Sequence, residues 1–159
     1  MASAEWNPDY VDLVDCFRAE GVDFLVVGAF ALAEHGLPRS TGDFDVLVRP
    51  SLENARRVCA ALARFGAPLA TAPVTPADLA RPGMVYQMGV VPRRIDVMTA
   101  ISGLSFDEAW SSRVEVLVHG RPLAFLGYGA LLANKRASGR AKDLRDADDL
   151  EALRTSPRR

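Results

Sequence analysis

Three aspartates are the residues of this sequence best suited to chemistry. Asp43 and Asp45 alternate with apolar residues in the segment 43–48, and Asp96 lies in a second apolar segment, 94–98. If the first segment is a β-strand, its two carboxylates lie on one face, about 7 Å apart along the backbone. A neighbouring strand would bring Asp96 to them. Three carboxylates form a set of hard oxygen ligands that suits magnesium or manganese, whereas zinc would favour histidine or cysteine.

The apolar neighbours of these acids support the strand interpretation. Phe44 and Val46 would face the core on the side opposite the first two carboxylates, and Ile95 and Val97 would point away from Asp96. An Asp-x-Asp pair alone is also compatible with a strand entrance or a solvated loop. A functional interpretation therefore depends on what surrounds the pair.

A strand-to-helix junction precedes the acids. The apolar run 24–27 ends at Gly28, just before a predicted helix at 29–34. Such a junction offers backbone N–H groups and the positive end of a helix dipole to a triphosphate, and glycine permits close approach. An ordinary turn would have the same sequence, and neither a Walker sequence nor a dinucleotide GxGxxG motif is present.

Hydrophobic periodicity and capping residues predict the elements that must position these groups. Helices are expected from Pro8, capped by Asn7, to Gly21, at 29–34, at 51–66, from Thr75-Pro76 over a short stretch, at 105–110, at 128–138 and at 141–153. Strands are expected at 24–27, 43–48, 84–88, 94–98, 114–118 and 122–126. The last four strands should form two hairpins.

The composition is that of an ordinary globular protein. The 159 residues suit one domain, predicted at 1–154 with a flexible tail at 155–159. With 19 basic and 20 acidic residues, the net charge of -1 provides no general attraction for nucleic acid. No apolar stretch is long enough for a membrane span and no secretion signal is apparent, so we expect a cytoplasmic protein without membrane contacts. Cys16 and Cys59 are expected to be reduced packing residues.

The segment 24–48, FLVVGAFALAEHGLPRSTGDFDVLV, resembles the nucleotidyltransferase superfamily, especially its minimal bacterial members related to toxin-antitoxin and abortive-infection proteins. The shared features are an apolar strand reaching a glycine, a short helix, a His-Gly and Arg-x-Thr loop, and a strand opening with Asp-x-Asp. The resemblance extends more loosely to 94–97 and 134–143. It implies an α+β fold, α/β-like, with a mixed sheet flanked by helices and a C-terminal helical pair.

The resemblance also implies an activity. It implies metal-dependent transfer of a nucleotidyl group from an NTP, with ATP the expected donor, to a hydroxyl of a protein, an RNA or a small molecule. Asp43, Asp45 and Asp96 would be the catalytic residues and would hold two magnesium ions, with Asp96 also receiving the hydroxyl proton. Gly28 and Ala29 would hold the triphosphate, although the family usually has glycine or serine where this chain has Ala29.

Several further residues have two open interpretations. Arg39 and Thr41 could contact phosphate or order the loop before the acids. Lys135, Arg140 and Lys142 could lie beside a nucleotide or a polynucleotide acceptor, or they could belong to a solvated surface.

Two other functions compete with the enzyme hypothesis. One is a catalytically weakened nucleotide- or partner-binding module of a toxin-antitoxin-like system, with a cognate toxin or antitoxin as partner. Its motivation is Ala29, which lacks a hydroxyl for phosphate, and the small size of the chain. The other is a relic of the fold in which the acids only solvate the surface.

Overall fold

A computed structural model describes residues 6–155 as one mixed six-stranded sheet flanked by seven helices. The helices are α1 (Pro8–Ala19), α2 (Gly28–Glu34), α3 (Leu52–Phe65), α4 (Pro76–Leu79), α5 (Phe106–Ser111), α6 (Tyr128–Ser138) and α7 (Ala141–Thr155). The strands are β1 (Phe24–Val27), β2 (Asp43–Val48), β3 (Val85–Met88), β4 (Arg94–Met98), β5 (Val114–Val118) and β6 (Arg121–Phe125). These elements confirm the α+β prediction, with differences of one or two residues at their ends.

The strand order places the two acid-bearing strands side by side at the centre of the sheet. The order is β3-β4-β2-β1-β6-β5. β2 runs parallel to β4 and antiparallel to β1, while β3 with β4 and β5 with β6 form the two predicted hairpins. β1 is buried along its whole length, as its continuous apolar run predicts.

Helices α1 and α3 pack together, and their ends follow the capping residues in the sequence. Asn7 accepts a hydrogen bond from the backbone N–H of Asp9 at the start of α1, and the Ser51 hydroxyl accepts one from Asn54 at the start of α3. Gly66 ends α3 with φ at 92°, a conformation that glycine adopts without strain. The local sequence therefore sets where both helices begin and where α3 ends.

The described part of the chain can be compared with the predictions for membrane spans and for the two cysteines. Within residues 6–155, no helix combines the length and the apolar character needed to cross a bilayer. Cys16 and Cys59 are free thiols that pack partly buried against the core, as predicted. Thr155 is still helical in α7, and residues 156–159 of the predicted tail lie outside the described residues.

Candidate active site

The register between β2 and β4 brings the three aspartates together. Asp45 lies opposite Asp96 in this parallel pair, and Asp43 lies opposite Arg94. Since alternate residues share a face, all four side chains project from the same side of the sheet. One carboxylate oxygen from each aspartate lies within 4.8 Å of the others. We call Asp43, Asp45 and Asp96 the acid cluster.

Aromatic packing on the opposite face holds β2 in place. Phe44, between the two acids, is fully buried and stacks on Tyr10 with ring centroids 4.9 Å apart. Phe30 and Trp6 meet the same ring edge-on, at 5.2 Å each. The apolar half of the strand thus offsets the cost of placing charged groups on its other half, as the alternation predicts.

Gly28 begins α2 directly beside the acid cluster. Its φ of 66° lies in the left-handed region, and a Cβ at this position would collide with Oδ2 of Asp45. Both constraints require glycine here. Gly28 therefore makes room for a carboxylate, a role that the strand-to-helix pattern alone did not suggest.

Arg94 is the residue at this site that our sequence analysis missed. Its Nη2 donates to Oδ2 of Asp43 at 2.7 Å and to Oδ2 of Asp96 at 3.2 Å. Its Nε lies 3.1 Å from Oδ1 of Asp96, in an ion pair too poorly aligned to count as a hydrogen bond. Because Arg94 stands two residues before Asp96, the period of two along a strand could have identified it.

Asp45 is the member of the cluster that lacks a cationic contact. Its Oδ1 is buried and has no hydrogen-bond partner among the described residues. Burial, followed by the charges of Asp43 and Asp96, raises the pKa of Asp45 to about 7. A cation would stabilise a buried carboxylate that lacks a hydrogen-bond partner. Three carboxylates beside one guanidinium also leave a net negative charge that would attract such a cation. The residues therefore fit a hard divalent cation.

The acid cluster lies in the wall of a cleft of about 820 Å³. One side of the cleft is formed by Gly28 and Ala29 with the loop before β2. Another is formed by residues of β3, β4 and the segment after β4, and the remainder comes from α6 and α7. The residues lining the cleft include Gly28, Ala29, Arg39, Thr41, Lys135, Arg140 and Lys142. All the residues predicted to bind nucleotide thus face one cleft with the acids.

Three of the four predicted nucleotide-binding cations, Arg39, Lys135 and Arg140, are already paired with aspartates of α7. Lys135, which is buried, lies 3.1 Å from Asp143 and 3.4 Å from Asp146. Arg39 Nε lies 3.2 Å from Asp146, so it ties the loop before β2 to α7. We call Lys135, Asp143, Asp146 and Arg39 the helix-pair network.

The other two C-terminal cations, Arg140 and Lys142, differ in whether they form an ion pair with a carboxylate. Arg140 Nε donates to Asp143 at 3.0 Å, although most of its side chain is exposed. Among the cationic side chains of the described chain that line the cleft, Lys142 alone forms no ion pair with a carboxylate. Lys142 is therefore the cation in this wall with its charge most available to a ligand.

Thr41 and His35 form local contacts. Thr41 donates its hydroxyl to Oδ1 of Asp43 at 2.8 Å, which orders the loop around the acid. His35 Nε2 lies 2.8 Å from the backbone oxygen of Leu126, a structural contact between α2 and the end of β6. Neither contact requires a ligand.

Comparisons with known proteins identify the fold. No protein-family model matches the chain, and no curated protein matches it in sequence. Among solved structures, a presumed nucleotidyltransferase from Thermotoga maritima is similar, with a TM-score of 0.55 and 16% identity over 96% of this chain and 94% of that one. The aminoglycoside nucleotidyltransferase ANT(2″)-Ia, solved with adenylyl-2″-tobramycin, gives 0.53 and 14% over 91% and 92%. The chain has the nucleotidyltransferase fold, which confirms the predicted fold class.

Proposed function

We propose that this protein transfers a nucleotidyl group from an NTP to a hydroxyl acceptor, with Mg²⁺ or Mn²⁺ at the acid cluster. The observation that carries the proposal is the meeting of three carboxylates within 4.8 Å in one large cleft. The nucleotidyltransferase fold supports it, because both similar structures are described as nucleotidyltransferases.

The acid cluster would hold the cation. Asp45 contributes an oxygen without a hydrogen-bond partner, and Asp43 contributes a carboxylate that Thr41 orients from the other side. When bound, a divalent cation would neutralise charge on the triphosphate and lower the pKa of the acceptor hydroxyl. The protein's part is to keep the carboxylates converged before any ligand arrives.

The reaction would be an in-line displacement at the α-phosphorus. The acceptor oxygen forms a bond to that phosphorus while the bond from phosphorus to the oxygen bridging to the β-phosphate breaks. Pyrophosphate leaves with the electron pair, and the hydroxyl proton passes to Asp96 in our proposal. Asp96 is 6% exposed, so its carboxylate would meet the acceptor in a site with little competing water.

The nucleotide would lie between the Gly28 turn and the C-terminal helices. Gly28 and Ala29 would present backbone N–H groups to the triphosphate, and Thr41 would lie near the same phosphates. Lys142 would supply the most available positive charge. The pocket would also be lined by Lys135, Arg140 and Arg39. Each of these cations would have to contact the phosphate while it remains paired with an aspartate.

One labelling experiment can identify both the nucleotide donor and the class of acceptor. Each of the four NTPs, labelled at the α-phosphate, is incubated with the protein, Mg²⁺ and a cell extract, and labelled protein, RNA and small molecules are separated. We expect one labelled product class, with ATP as the preferred donor. Asp96→Asn should abolish it, whereas Asp12→Asn, an exposed acid on α1, should not. Label that persists in the Asp96 variant contradicts the proposal.

A second candidate function is nucleotide or partner binding without turnover. Its support is that Lys135, Arg140 and Arg39 are engaged with aspartates and that Ala29 has no hydroxyl for phosphate. Calorimetric binding of Mg-NTP with no transfer to any fraction of the extract would favour this module. Co-purification with a protein encoded beside it would then identify a cognate toxin or antitoxin.

A further inference from the structure

Arg94 fills the space between two members of the acid cluster. Its Nη2 lies 2.7 Å from Oδ2 of Asp43 and 3.2 Å from Oδ2 of Asp96. We infer that the Arg94 guanidinium takes the place of one of the two cations that the resemblance implies, so that the site holds a single divalent ion. This inference rests on the proposed function and adds the cation count and a positioning role for Arg94.

Steric exclusion is the first argument. A magnesium ion bound to the same two oxygens would lie about 2.1 Å from each, and a two-metal site would separate its ions by about 3.5 to 4 Å. Nη2 already lies between those oxygens of Asp43 and Asp96. An ion at that position would therefore have to push the Arg94 side chain out of the cluster.

The chemistry of arginine makes that displacement costly. Nη2 of Arg94 donates to Oδ2 of Asp43 and to Oδ2 of Asp96, and Nε lies 3.1 Å from Oδ1 of Asp96, so one rigid guanidinium is held by two carboxylates at once. Arginine does not deprotonate in proteins, so an incoming ion could not relieve the repulsion by removing a proton. The displaced guanidinium would also lose both of its carboxylate partners.

Charge balance also favours a single divalent ion in the site. Three carboxylates and one guanidinium carry a formal charge of -2. One divalent ion neutralises that charge, whereas two would leave the site at +2 before a nucleotide binds. An excess of charge is unfavourable in a partly buried site.

The position of the single ion follows from the asymmetry of the contacts. Arg94 forms ion pairs with Asp43 and Asp96, whereas no cation among the described residues forms an ion pair with Asp45. The ion would therefore bind between Asp45 and Asp43, on the side of the cluster next to Gly28. Each carboxylate oxygen has two lone pairs, so Asp43 can accept from Arg94 and still bind the ion.

Counting bound Mn²⁺ tests this inference. Equilibrium dialysis against MnCl₂ alone, with free Mn²⁺ measured by electron paramagnetic resonance, gives the number of ions per chain. We expect one ion for the native protein and two for Arg94→Met, which keeps the length of the side chain but removes its charge. Arg93→Met, at the exposed neighbouring position outside the cleft lining, is the matched control and should bind one.

A conservative variant separates a positioning role from a merely structural one. Arg94→Lys retains the positive charge, so we expect it to keep one ion per chain, with a transfer rate between those of the native protein and Arg94→Met. Two ions on the native protein, or one ion on a folded Arg94→Met variant, overturn the inference. If Arg94→Met does not fold, the count on the native protein still decides.

The failure of this inference is distinguishable from failure of the proposed function. Two ions on a native protein that transfers nucleotide would reject the role of Arg94 and leave the enzyme proposal intact. No bound Mn²⁺ on the native protein would reject the metal site and, with it, both proposals.

Discussion

The acid cluster and the helix-pair network both bury charged side chains against the same cleft, but they balance charge differently. In the acid cluster, the charge of Arg94 offsets one of three carboxylates, and no cation among the described residues forms an ion pair with Asp45. In the helix-pair network, two cations face two buried aspartates within 3.4 Å. The acid cluster is therefore unbalanced in charge, whereas the balanced helix-pair network joins α6, α7 and the loop before β2.

This difference predicts opposite responses to the loss of a charge. Removing a charge from an unbalanced group relieves repulsion and harms only function. Removing a charge from a balanced group leaves its partner buried without a counter-charge, which destabilises the fold. Variants in the two groups therefore test whether the comparison is correct.

The largest effect is expected at Asp45. Asp45→Asn should reduce nucleotidyl transfer by about 10³-fold, because it removes a proposed metal ligand. The same variant should be more stable than the native protein by about 1 to 3 kcal/mol at neutral pH, because the buried charge is gone. Urea unfolding and the transfer assay measure the two effects. A variant that loses both activity and stability would contradict the assignment of this group as unbalanced.

Lys135 should show the reverse pattern in stability. Lys135→Met removes the cation that faces Asp143 and Asp146, and both carboxylates are almost fully buried. We expect a loss of about 3 to 4 kcal/mol in the free energy of unfolding, measured in urea. Arg136→Met is the matched control, since Arg136 pairs with Glu151 at the surface and should lose less than about 1 kcal/mol. Equal losses of unfolding free energy in the two variants would mean that the buried network is no more important for stability than a surface ion pair.

A smaller effect is expected from acid titration of Asp143. Burial alone would raise the pKa of Asp143, but hydrogen bonds from Ser138 and Lys135 and the charges of Lys135 and Arg140 outweigh it and lower the pKa below its ordinary value. The ionised carboxylate therefore stabilises the fold at pH values above its unfolded pKa, and this contribution disappears as the pH falls through the folded value.

The measurement for Asp143 is a comparison of variants across pH. The difference in unfolding free energy between the native protein and Asp143→Asn should be largest near neutrality and should shrink below about pH 4. Urea unfolding at several pH values gives this difference. A gap that stays constant down to pH 3 would mean that the carboxylate charge is not what stabilises the network.

The smallest effect is expected at Lys142. Lys142→Gln should weaken binding of Mg-NTP about three- to tenfold and leave the unfolding free energy unchanged within about 0.5 kcal/mol. Arg145→Gln, at an exposed position of α7 outside the cleft lining, is the control and should change neither quantity. Isothermal calorimetry measures the affinity. Unaltered binding in the Lys142 variant would show that this lysine is ordinary surface charge.

The features set by local sequence were predictable. Capping by Asn7 and Ser51 and the αL glycine at Gly66 depend on neighbours within a few residues, and the structure agrees with them. The alternation around Phe44 likewise places the two acids of β2 on one face, since side chains of a strand alternate by geometry alone.

The partners of the charged side chains could not be predicted in this way. Arg39 was expected to contact phosphate or order its loop, and it lies against Asp146, 107 residues away in the chain. Lys135 was expected beside a nucleotide or a polynucleotide acceptor, or on a solvated surface, and it is held by α7. Charge patterns along a sequence do not encode such pairings, because they depend on how a loop and two helices pack in three dimensions.

The sequence by itself determined which residues form each strand and helix, and that Asp43 and Asp45 share a face, because those properties arise from backbone geometry and neighbouring side chains. Only the tertiary structure decided that Asp96 lies opposite Asp45 and that Arg94 bridges Asp43 and Asp96. The register of two parallel strands separated by about fifty residues is set by packing across the whole sheet. A shift of one residue would have turned these groups to opposite faces.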